Sequence, residues 1–213
     1  MKKYLLVEGV TDVALVKYIC YQNGITNKFD DFIKSGNQYK FNDFIIINLK
    51  GQDNLENELN YLKDEEVEIE QIFIIQDADD DFSKSLDSIV DVVDKSNIDD
   101  SKIKYFLTPN NKDTGDLETL LLSTIQSNDI IQCFGGYKEC LLKNNSIYSK
   151  ALNKGQVYAY TMYSQKGENL HKPQDSFMHK FDTKYVDTNL WDLEKDEFKP
   201  IIKFILEIFK SKV

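Results

Sequence analysis

Basic charge is scarce in this chain. Its 26 Lys and Arg are outnumbered by 36 Asp and Glu, for a formal net charge of -10. That balance excludes a protein that grips nucleic acid on a broad basic surface, because phosphate binding draws mainly on basic side chains that release counterions. Long hydrophobic runs are missing as well. Stretches such as FIIIN and IIKFILEIF fall far short of the roughly 20 apolar residues a membrane span needs. The N-terminal MKKYLLVEG meets Glu8 before a signal-peptide core can form, so the sequence predicts a cytoplasmic protein with no membrane association. Cysteine is sparse: Cys20, Cys133 and Cys140 make an odd number, with no pair at zinc-ligand spacing and no framework of the secreted type, which predicts reduced, buried thiols. Internal repeats, low-complexity tracts and Gly/Ser linkers are absent. What is present is ample material for a packed core, since 41% of the 213 residues are hydrophobic.

Periodicity places the elements. KYLLVEG reads as a buried strand, TDVALVKYICYQNG as a helix with Val13, Val16, Ile19 and Cys20 at helical spacing ended by Gly24, and FNDFIIINLKG as a second strand. DNLENELNYLKD sets Leu55, Leu59 and Leu62 on one helical face, and QIFIIQD is a third strand. A helix carrying Phe82, Leu86, Ile89 and Val93 follows, and then KIKYFLTP as a fourth strand. This alternation predicts an α/β fold, a parallel sheet of about four strands covered by helices on both faces. Beyond Pro109 the strand signal fades. GDLETLLLSTI, DIIQCFGGYKECLLKNN and YSKALNKGQVYAYTMYSQ read as helices, and residues 165–196 have little periodicity. In the last helix, EFKPIIKFILEIFKSKV, the face of Ile202, Ile205 and Phe209 is expected to pack on the core, with Trp191 filling the corner before it. The chain therefore divides into a core over residues 1–110 and a mainly helical elaboration over 111–213, packed on that core.

The segment IFIIQDADDDF sets Asp77, Asp79, Asp80 and Asp81 at the mouth of a buried strand. In open parallel sheets ligands bind beyond the carboxyl ends of the strands, and LLVEG ends there in an acid too. Glu8 and the Asp77/Asp79 pair are expected at one edge, with Asp12, four residues after Glu8, pointing the same way. Mg²⁺ and Mn²⁺ take such oxygen ligands, and Mg²⁺ keeps several waters beside a few carboxylates. A calcium-loop reading of DADDDF fails, because Phe82 stands sixth where Gly is wanted and Ser88 twelfth where Glu is wanted. A phosphatase reading needs a Thr-like residue where Asp81 stands and leaves Glu8 unexplained. Asp80 and Asp81 also suit a helix N-terminus, as Asp12 does.

The combination of Glu8 in LLVEGVTD, Gly51 in INLKG, and Asp77 with Asp79 in IIQDAD resembles the toprim domain of topoisomerases, bacterial primases, recombination-repair proteins and the overcoming-lysogenization-defect nucleases. The match covers roughly residues 3–108. The EGVTD spacing is most similar to those nucleases, and GDLETLLL followed by a helical tail ending in LWDLEKDEFKPIIKFIL is similar to a stand-alone bacterial toprim-like family. The resemblance implies a two-metal nuclease acting on DNA or RNA, with Mg²⁺ or Mn²⁺ held by Glu8, Asp12, Asp77 and Asp79, and Glu118 or Asp116 completing the second site. Glu8, Asp77 and Asp79 are its candidate catalytic residues, and Glu8 is also a candidate general base. Capping is the plainer role for Asp116. The resemblance also implies a lysine near the scissile phosphate, for which Lys154 and Lys166 are available, and an ATPase partner. The nucleophilic tyrosine domain of a topoisomerase and the zinc domain of a primase have no counterpart. His171 and His179 have no recognisable metal spacing. Tyr158, Tyr160 and Tyr163 suit a half-buried helix better than base stacking. Two other function classes stay open: a non-catalytic metal-binding or partner-binding scaffold, and phosphotransfer on a nucleotide or small phosphate.

Overall fold

The structure, a computed structural model, describes residues 1–28, 30–64, 68–125, 129–144, 149–163, 191–192 and 194–210. Six strands form one mixed sheet in the order β2-β3-β4-β1-β5-β6, with β1 at Lys2–Val7, β2 at Ile33–Ser35, β3 at Gln38–Phe41, β4 at Phe44–Asn48, β5 at Ile69–Asp77 and β6 at Ile103–Thr108. β4, β1, β5 and β6 run parallel, and β2 and β3 add an antiparallel hairpin at the β4 edge. The expected sheet of about four parallel strands is thus corrected to a mixed sheet of six. The hairpin leaves little trace in the sequence because all three β2 residues are exposed, so no apolar alternation marks it. Its turn carries Gly36 at φ 62°, a conformation that suits glycine.

Helices cover both faces. α1 (Val10–Gln22), α4 (Leu117–Ser123), α6 (Ser149–Tyr163) and α7 (Lys199–Glu207) contribute to the core on the face of Leu5, Val7, Ile46, Phe73, Ile75 and Phe106. α2 (Leu55–Asp64) and α3 (Phe82–Ser96) lie over Tyr4, Leu6, Ile45, Ile72, Ile74 and Leu107. Strand residues alternate between the two clusters, as the period of two in a strand requires. Leu55, Leu59 and Leu62 are buried as their spacing predicts. α1 instead buries every residue from Val13 to Cys20, because it also meets α7 on its outer side.

α7 packs the expected face on the core: Ile205 is buried and Ile202 and Phe209 are partly buried against it, and Phe198, Ile201 and Ile208 widen the inward stripe. Trp191 does fill the corner, 5.4 Å from the Tyr160 ring. Of the cysteines only Cys20 is buried. Cys133 and Cys140 are exposed on α5 (Asp129–Asn144), contrary to expectation. The reason is that α5 packs against α6 without burying any of its described side chains. Among the described residues no helix is long and apolar enough to cross a membrane.

Candidate active site

The chain leaves β1 for β4 on one side and later returns to β5 on the other. That reversal makes the carboxyl ends of β1 and β5 a topological switch point, the usual place for a ligand in an open α/β sheet. Val7 pairs with Ile75, which sets Glu8 and Asp77 one and two residues beyond the same rung. The β4 loop closes against this point: Leu49 N–H donates to the Val7 carbonyl at 2.8 Å and Gly51 N–H to the Glu8 carbonyl at 2.9 Å. Gly51 does this at φ 124°, which a side chain would strain.

Asp77 is held by one oxygen. Its Oδ1 accepts from the Thr108 hydroxyl at 2.7 Å and from the Leu117 backbone N–H at 3.1 Å, so β6 and the start of α4 both orient it. Sequence reasoning missed these two partners; a hydroxyl residue at a neighbouring strand end was the available signal. Asp12 lies in the first turn of α1, where its Oδ2 accepts from Gly9 N–H at 2.9 Å. Burial holds its carboxyl well above the usual range, and the charges of Asp77 and Glu8 push it further, against the Gly9 hydrogen bond. Glu118, in the first turn of α4, is pushed up to about 7 by burial and by Asp116 and Asp77, with Lys154 of α6 opposing. Asp77 is thus the hub, felt by Asp12 on one side and Glu118 on the other, and Glu8 has one oxygen, Oε2, buried.

The remaining candidates divide. Asp116 is buried and caps α4, accepting from Thr119 N–H at 2.8 Å and from its hydroxyl at 2.6 Å, the plainer role. Asp79 lines the same cleft as Asp77 and sits in the β5–α3 loop at φ 51°, exchanging two 2.8 Å backbone hydrogen bonds with Gly115. Asp81 caps α3 through Lys84 N–H at 3.1 Å, and Asp80 is exposed. Lys166, His171 and His179 lie outside the described residues, as do the side chains of Tyr158 and Tyr163. Tyr160 is core.

The Asp79–Gly115 bridge joins the two loops that carry the acids. Gly115 stands at φ 139°, and a Cβ there would come within 3.1 Å of the Thr119 side chain, which is tied to Asp116. Gly115→Ala should therefore cost about 2 kcal/mol, a melting temperature lower by roughly 4–8 °C for a chain of this size; differential scanning calorimetry measures it.

The donors are all hard oxygens, and the cluster holds more negative charge than its surroundings neutralise, since two of its carboxyls retain protons above their ordinary range. That chemistry fits a divalent cation. Among the described residues no three His, Cys, Asp or Glu side chains stand converged on one point, but Mg²⁺ commonly uses only one or two carboxylates and keeps several waters.

One family model, described as "Protein of unknown function (DUF3226)", matches residues 2–210. No curated protein matches the sequence. A solved structure, that of hypothetical protein PH0156 from Pyrococcus horikoshii OT3, is similar at 15% identity over 97% of this chain and 100% of that one, with a TM-score of 0.47.

Proposed function

Since the chain belongs to the family described as "Protein of unknown function (DUF3226)", a description that carries no activity, we propose from the site itself that it is a cytoplasmic toprim-like nuclease that hydrolyses phosphodiesters with Mg²⁺ or Mn²⁺. The observation that carries this reading is the carboxyl cluster centred on Asp77, in which Asp12 and Glu118 are both raised by burial and by their acidic neighbours. Glu8 and Asp12 would hold one ion, and Asp77, Asp79 and Glu118 mainly the other. When bound, such ions neutralise phosphate charge and lower the pKa of water. The chain's own groups do the rest. Thr108 and Leu117 fix the Asp77 carboxylate. Lys154, whose charge acts on Glu118, offers positive charge to a phosphate. With a net charge of -10, affinity for DNA or RNA would be weak and salt-sensitive, and we assign its reinforcement to an ATPase partner.

A second reading, a non-catalytic metal-binding or partner-binding scaffold, is favoured by the lack of three converged acids among the described residues. Incubation of purified protein with single-stranded DNA, duplex DNA, plasmid and tRNA at low ionic strength separates the two. The nuclease reading expects slow cleavage in Mn²⁺ that EDTA abolishes. No cleavage of any substrate, with or without the ATPase, while calorimetry shows Mn²⁺ bound, would leave the scaffold standing.

A further inference from the structure

Half of the 16 residues of α5 are apolar, yet none of its described side chains is buried. One side of the helix leans on α6. There a Cβ on Gly155 would come within 3.2 Å of the Phe134 ring, and Lys138 Nζ donates to Asn153 Oδ1 at 2.7 Å. The opposite side carries Asp129, Cys133, Gly136, Tyr137, Cys140 and Lys143, whose spacing lines them up on one helical face. All six are exposed, Tyr137 by 56%. Gly136 is the member that packing within the chain does not call for. Glycine is, proline apart, the poorest helix former, and among the described residues nothing lies within 4 Å of where its Cβ would stand. A glycine on an open helical face admits the close approach of a second backbone.

Reversed end for end, this face matches itself. A two-fold axis between Gly136 and Tyr137 sets Cys133 of one copy opposite Cys140 of the other and brings the two Gly136 residues together at the crossing, with each Tyr137 beside its counterpart. The same axis sets Asp129, at the start of the helix, beside Lys143, at its end, so that two pairs of opposite charge close the contact. This is the signature of an isologous interface, in which each residue is used twice. An unrelated partner would need neither the symmetric spacing nor the opposite charges at the two ends, and an anionic membrane surface is opposed by the net charge of -10.

We propose that the exposed face of α5 pairs two copies of this chain antiparallel, with Gly136 at the crossing and Asp129 of each copy beside Lys143 of the other. The pairing is independent of the nuclease reading, since α5 carries none of the candidate site residues. Sedimentation velocity of the full chain in reducing buffer, over a wide range of concentration, should show a dimer. Asp129→Lys or Lys143→Asp alone makes both symmetric pairs repulsive and should raise the dimer dissociation constant about tenfold or more, and the double swap Asp129→Lys/Lys143→Asp should recover it. Gly136→Arg, whose side chain has open space in the single chain, should fold and sediment as a monomer. Diamide, which takes two electrons and two protons from a pair of thiols, reads the register. The Cys133→Ser and Cys140→Ser proteins should each stay uncrosslinked, because like cysteines are separated by seven residues of helix, about 10 Å, beyond disulfide reach. An equimolar mixture of the two should give the disulfide dimer, and the buried Cys20 takes no part. A monomer at every concentration, no recovery in the double swap, a dimer that persists in Gly136→Arg, or crosslinking as fast in each single variant as in the mixture would each overturn the assignment.

Discussion

Asp77→Ala should destabilise the protein by about 2–4 kcal/mol, whereas Asp77→Asn should fold as well as the wild type. The alanine leaves Leu117 N–H and the Thr108 hydroxyl without the acceptor they share, and a buried donor left unsatisfied costs its full desolvation penalty. Asparagine keeps an oxygen at the Oδ1 position and removes a charge that Asp12 and Glu118 both feel. Its lost charge assistance is then offset by relief of repulsion. The two variants part in stability and converge in function. Under the nuclease reading both should lose Mn²⁺-dependent cleavage by about a hundredfold or more, the scale on which removal of one electrostatic stabiliser acts. Glu8→Gln should behave as Asp77→Asn does. Urea melts and a plasmid-nicking assay on the same preparations provide both readouts. Full activity in Asp77→Asn would remove Asp77 from the chemistry and leave it an architectural residue.

Metal-free protein should be less stable at pH 8 than at pH 5, the reverse of what an acidic protein with salt-bridged carboxylates shows. Glu118 is raised from 4.5 to about 7, by burial first. A carboxyl raised on folding binds a proton more tightly in the native state than in the unfolded one. Its contribution is complete below about pH 4.5 and disappears as the pH climbs through about 7. At about 1.4 kcal/mol per unit the shift is worth roughly 3 kcal/mol, and partial solvation reduces this to about 2. Asp12 is raised as well and acts in the same direction. The lowered carboxyls, Asp99, Asp196 and Glu207, lose their contribution only as the pH falls below about 4.5, outside this window. Thermal melts in EDTA should therefore fall between pH 5 and pH 8, and Glu118→Gln should flatten most of that slope and melt higher than wild type at pH 8. Millimolar Mg²⁺ should restore stability at pH 8 by binding the native state alone, and do so less in Asp77→Asn. A slope unchanged in Glu118→Gln would place the titrating group elsewhere.

Local sequence by itself determined the parallel strands, their flanking helices and the acids at their carboxyl ends. Runs such as YLLV, FIII and IFII are too apolar to lie anywhere but inside a sheet covered on both faces, and an acid directly after such a run can only stand at its mouth. The division of labour among those acids depended on the tertiary structure. Asp116 and Glu118 are two residues apart, yet one turns back to cap its own helix and the other lies among buried neighbours near Asp77. Spacing does not reveal this, because the difference arises from β6 delivering α4 against β5. The hairpin of β2 and β3 was illegible for the converse reason: a fully exposed edge strand buries nothing that would leave a pattern. The wider buried stripe of α7 and the exposed thiols of α5 likewise depend on which neighbours each helix meets. Gln76 and Asp77 alternate along β5, yet both line the cleft beside α2 and α3, with Asp79; that cleft exists only where the packed helices leave it, which no local pattern in the sequence encodes.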